Sequence, residues 1–104
     1  MAAEISISGI KKVKTLQREF KEAFNLTLRV KKGKSNLDAD PDATIASIKQ
    51  PGSKGGDIRI VGNTKVGNVE KAFLDQYGIN VQVANEDNTA LVSNDLTLGA
   101  AARG

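Results

Sequence analysis

Isoleucine alternates with polar residues in "ISISG", 5–9, and a similar alternation opens "IRIVG", 58–62. Each stretch predicts a half-buried strand, with Ile5, Ile7, Ile58 and Ile60 turned inward. The period then changes. Val13, Leu16, Phe20 and Phe24 recur at spacings of three and four, as do Val66, Val69, Phe73 and Tyr77, which places each set on one stripe of a helix. Thr15 and Asn68 are suitable N-caps for helices starting at 16 and 69, with a start near 12 and 65 as the alternative. Asn25 and Gly78 are residue types that readily adopt the left-handed conformation closing a helix. Alternation returns in "LTLRV", 26–30, and "INVQV", 79–83. Beyond these strands, Asp42 and Asp95 are predicted to cap short helices carrying Ile45, Ile48 and Leu98 toward the core.

The two series are one series written twice. Residues 5–51 align with 58–104 at a constant offset of 53, without a gap, and nine of the 47 pairs are identical, against roughly three for average residue usage. The non-identical pairs Leu16/Val69, Phe24/Tyr77, Leu26/Ile79, Leu28/Val81 and Ile45/Leu98 also keep apolar character. The expected organisation is one domain spanning 1–104, built from two pseudo-symmetric β-α-β repeats, 5–51 and 58–104. "QPGSKGGD", 50–57, reads as a Gly-rich, flexible connection. The predicted class is α+β: a ferredoxin-like, four-stranded antiparallel sheet with two helices on one face. An intertwined, domain-swapped dimer of the same units is the competing arrangement, so the expected state is monomer or homodimer.

Composition narrows the chemistry. The chain has no Cys and no His, which excludes thiol nucleophiles, disulfides and zinc sites built on thiolate or imidazole. Ser and Thr hydroxyls have no base to pair with, and no two carboxylates are brought together by their spacing. The chain therefore reads as non-enzymatic and without a cofactor. Asp38, Asp40 and Asp42 resemble the opening of a calcium loop, but Ala43 and Lys49 stand where it needs Gly and Glu. "GSKGG", 52–56, lacks the ending of a phosphate-binding loop. With neither a signal-peptide pattern nor a membrane span in the sequence, a cytoplasmic protein is expected.

Charge is unevenly placed. Residues 1–52 hold ten Lys/Arg against six Asp/Glu, and residues 53–104 hold five against six. Parallel strands within a β-α-β unit end at one edge, so Lys11, Lys12, Lys14, Lys31, Lys32 and Lys34 are predicted to gather there, beside the N–H groups opening the first helix. Of their six counterparts only Lys65 is basic. This difference points to a polyanionic partner, either nucleic acid phosphates or an acidic protein. No aromatic residue falls on the outward strand positions, which argues against base stacking. A protein partner meeting a sheet edge, or self-association, is the alternative reading.

Overall fold

The computed structural model describes residues 4–31, 38–50 and 52–103. Its elements follow the two hydrophobic periods. Strand β1 spans Glu4–Ile7, helix α1 Val13–Phe24 and β2 Thr27–Val30; β3 spans Ile58–Val61, α2 Val66–Tyr77 and β4 Val81–Ala84. A 3-10 turn over Ala46–Ile48 and helix α3 over Leu98–Arg103 complete the α+β architecture.

The helices begin earlier than Thr15 and Asn68 suggest, because their first N–H groups are satisfied by passing backbone. Val13 N–H donates to the Ala43 carbonyl at 2.9 Å and Lys14 N–H to that of Pro41 at 2.9 Å. In the second copy, Val66 donates to Leu96 at 2.9 Å and Gly67 to Asn94 at 3.1 Å. Groups that ordinarily need a side-chain cap are met by the returning chain, and Lys12 and Lys65 precede the helices without capping them. At the opposite ends Asn25 and Gly78 take left-handed conformations, with φ of 58° and 66°. Asp42 and Asp95 do not cap the later turns. The Thr44 and Thr97 hydroxyls do so, accepting from the N–H groups of Ser47 and Ala100 at 3.2 Å each.

Strand pairing departs from the expected single sheet. Strand β1 pairs antiparallel with β3, and β2 with β4, in two separate two-stranded sheets. The reason lies at the outer edges of β2 and β4. Ala39 N–H donates to the Val30 carbonyl at 3.0 Å, and Val92 N–H to the Val83 carbonyl at 3.1 Å. A ferredoxin-like sheet would place β2 beside β3 and β4 beside β1; here β2 and β4 pair with each other, and short returning segments take the Val30 and Val83 ends of their outer edges.

Both ribbons respect the offset of 53. Ser6 faces its own counterpart Arg59 in the first, and Arg29 faces its counterpart Gln82 in the second. The isolated bridges Lys12–Thr44 and Lys65–Thr97 are equivalent, as are Lys31–Asp38 and Ala84–Leu91. Helix α1 packs on β1 and β2, and α2 on β3 and β4. Ile7, Leu16, Phe20, Leu28 and Ile45 from the first copy, with Ile60, Val69, Phe73, Tyr77 and Leu98 from the second, are essentially without solvent exposure.

Gln50 and residues 52–57 are tied down more closely than their composition suggests. Gln50 N–H donates to the Tyr77 carbonyl at 2.9 Å and Gly55 N–H to that of Gln76 at 2.7 Å. The Tyr77 hydroxyl donates to the Gly56 carbonyl. Burial and the nearby Asp57 carboxylate raise the Tyr77 pKa above its ordinary value, favouring the neutral phenol that makes this bond.

Candidate functional site

The lysines singled out by sequence meet different fates. Lys11 folds back to donate to the Ser6 carbonyl at 2.6 Å and to the Glu19 carboxylate. Lys14 pairs with Asp42 at 2.8 Å, and Lys31 with Asp38 at 2.8 Å. Lys12 is exposed, whereas Lys32 and Lys34 lie outside the described residues. The acidic stretch 38–42 thus brings Asp38 and Asp42 onto Lys31 and Lys14. Lys31 and Lys14 hold the Asp38 and Asp42 carboxyls below their ordinary pKa values, mainly through their hydrogen bonds. These pairs stabilise the fold above the ordinary carboxylate range, and that contribution is lost as pH falls through the lowered values.

The opening of α1 is also occupied. The Pro41 and Ala43 carbonyls take the Lys14 and Val13 N–H groups, so these donors are not presented to an anion. Asp40 is engaged locally, its carboxylate accepting from Asp42 N–H at 2.9 Å.

A different surface remains open beside β2. Two adjoining hollows of about 380 and 460 Å³ share Gln17, Thr27, Leu28 and Asn88 in their walls, forming a groove between α1 and the strand. The segment at Ala39 covers the far end of the β2 edge. At Leu28 the carbonyl is met instead by a side chain, the Gln17 amide donating to it at 3.0 Å. Among the described residues no strand covers that part of the edge.

Basic groups flank the groove. Lys21 donates to the backbone carbonyl of Glu86, whose carboxylate is held by the Asn25 amide at 2.8 Å. Arg29 donates through Nε to the Asn88 side-chain oxygen at 2.6 Å and through Nη2 to the Asn88 carbonyl at 3.2 Å. Both cations are positioned by neutral acceptors, although Asp38, paired with Lys31, lines the same hollow as Arg29 and lies within its field. Arg18, on the same side of α1, shares an exposed i,i+4 pair with Glu22 at 3.5 Å. On the other side of α1, Glu4, Glu19 and Glu22 border a hollow beside β1. Glu22 lines the groove beside β2 as well, as does Asp38, so that groove carries Arg18, Lys21, Arg29 and Lys31 against two carboxylates.

The second copy changes the groove's charge. Positions matching Gln17, Lys21, Arg29, Lys31 and Asp38 hold Glu70, Leu74, Gln82, Ala84 and Leu91. Glu70 is partly buried, and desolvation raises its carboxyl pKa. By the offset of 53, position 70 corresponds to Gln17 and Val81 to Leu28, whose carbonyl accepts from the Gln17 amide, so an amide at 70 is expected to donate likewise. Glu70→Gln is expected to stabilise the protein by about 0.5–1 kcal/mol at neutral pH. The carboxylate's cost is fully present above its raised folded-state pKa and disappears as pH falls below its unfolded value. The variant's advantage in urea titrations should accordingly shrink toward acid pH; an advantage that grows there would contradict this account.

Lys21 and Arg29 were not picked out by reading lysine runs. The signal was available in the aligned copies, where Lys21/Leu74 and Arg29/Gln82 change charge beside a conserved apolar frame. Among the described residues, no group of three or more His, Cys, Asp or Glu side chains has metal-site geometry, and no helix is long and apolar enough to cross a membrane. Comparison with protein-family models, curated proteins and solved structures finds no match.

Proposed function

We propose that the chain is a non-enzymatic binding module that receives an extended, acidic stretch of a protein partner in the groove beside β2. One observation carries this reading: Lys21 and Arg29, held by neutral oxygens, flank the Thr27–Leu28 part of a strand edge that among the described residues meets no further strand, its Leu28 carbonyl being held only by the Gln17 side chain. An extended peptide meets such an edge with backbone hydrogen bonds and presents alternate side chains to the groove walls. Acidic side chains at those positions find cations there.

The paired state of Lys11, Lys14 and Lys31 makes the predicted lysine edge a weaker attraction for a polyanion, since each is already matched by a carboxylate. Binding is tested with a labelled peptide alternating Glu with Val or Thr, and with mixed-sequence single-stranded DNA, at two salt concentrations. Lys21→Gln combined with Arg29→Gln is expected to weaken peptide binding by about tenfold or more. Lys12→Ala combined with Lys14→Ala should leave it within about twofold. DNA binding that exceeds peptide binding, falls steeply with salt and depends on Lys12 and Lys14 would instead favour nucleic acid at the lysine edge.

A further inference from the structure

The pairing between the two copies has an unusual completeness. Strand β1 meets β3 and β2 meets β4, so both ribbons join one copy to the other, and among the described strands none pairs within its own copy. Each register maps onto itself when the copies are interchanged, with Ser6 opposite Arg59 and Arg29 opposite Gln82. The surface that the first copy offers to the second is therefore equally complementary to the second copy of another molecule. We infer that a second copy of this chain is a partner for that surface, and that the halves exchange to form an intertwined dimer.

The hinge is found at the end of the first copy. In the closed chain Gln50 N–H donates to the Tyr77 carbonyl, and the chain then turns through Gly52 at φ +84°. A Cβ built on Gly52 meets no atom within 4 Å. The site therefore imposes a conformational restriction on larger residues without an accompanying clash. Opening the chain there releases the restriction while allowing both ribbons to re-form between molecules. Exchange also makes the β2 groove composite: α1 and β2 come from one chain, while Glu86 and Asn88, which position Lys21 and Arg29, come from the other. Each exchanged dimer carries two such grooves.

A β-branched residue at Gly52 disfavours the closed turn. Gly52→Val is expected to raise the dimer association constant by about tenfold or more, read by light scattering across a concentration series. A Ser6→Cys/Arg59→Cys pair reports the topology, because these residues are directly opposed and exposed. With the native hinge at low concentration the disulfide should form within one chain; with Gly52→Val it should link two chains. As a measure independent of that variant's folding, the cysteine pair on the native hinge is unfolded and refolded at high concentration, where interchain links should increase. Exclusively intrachain links after such refolding would overturn the inference, as would a folded Gly52→Val protein that remains monomeric throughout. The outcome is separable from groove binding, which is read with the acidic peptide on the monomer.

Discussion

Replacing Phe73 with alanine is expected to destabilise the protein by about 3–5 kcal/mol, a large share of the roughly 5–15 kcal/mol that holds a domain of this size. Phe73 is fully buried on the α2 stripe between Val69 and Tyr77, and the helix packs on strands of both ribbons. Phe73→Leu retains much of the volume and should cost about 1.5 kcal/mol or less. Phe20→Ala should resemble Phe73→Ala and additionally remove an edge-to-face contact with Phe24, whose ring centroid is 5.1 Å away. Because both ribbons are made between copies, neither copy keeps its strand pairing when the other unfolds. Each variant should therefore lose structure in one urea transition with an m-value near that of the unaltered chain. Two separated transitions, or an m-value about half as large, would show that the copies fold independently.

The second large effect lies at a helix end. Gly78→Ala is expected to cost about 2–4 kcal/mol, combining a left-handed backbone with a steric conflict. The observed φ is +66°, and an added Cβ would stand 2.7 Å from Gln50 Cβ and 2.8 Å from Gln50 Cγ. Thermal unfolding should fall by roughly 4–8 °C for each kcal/mol lost. A Gly78→Ala/Gln50→Gly double variant should recover the steric part and retain the conformational part, so the two changes will not add. Asn25→Gly, at the equivalent cap with φ of 58°, should change stability by no more than about 0.5 kcal/mol. If Gly78→Ala is equally mild, the close approach of Gln50 does not govern this cap.

These effects arise at positions whose local roles can be read from sequence but whose full cost cannot. The stripe Val66, Val69, Phe73 and Tyr77 announces a buried helix face by spacing, and Gly78 announces its termination. Nothing adjacent to Gly78 identifies Gln50 as its steric neighbour, which is brought there by its own hydrogen bond to the Tyr77 carbonyl at the end of α2. The cap shares its conformation with Asn25 but has different surroundings.

The candidate site shows the same division. Lys11, Lys14 and Lys31 were legible as charge, yet their effective charge depended on the return of Glu19, Asp42 and Asp38. The helix start offered donors in sequence terms, but the Pro41 and Ala43 carbonyls reached the Lys14 and Val13 N–H groups first. Lys21 and Arg29 lie apart along the chain, on a helix and a strand, and only their common proximity to residues 86–88 joins them at one groove.

Hydrophobic period and the repeated pattern were sufficient to specify the strands, the helices and their buried faces, because side-chain direction within an element follows from local geometry. Strand partners depend on which distant edges remain available. Tertiary structure alone decided that the strands form two ribbons rather than one sheet, since Ala39 and Val92 occupy edge positions on β2 and β4. It likewise decided which cations are neutralised: Coulomb attraction follows distance in space, and the acidic segment is folded back onto the lysine edge while leaving Lys21 and Arg29 beside the open groove.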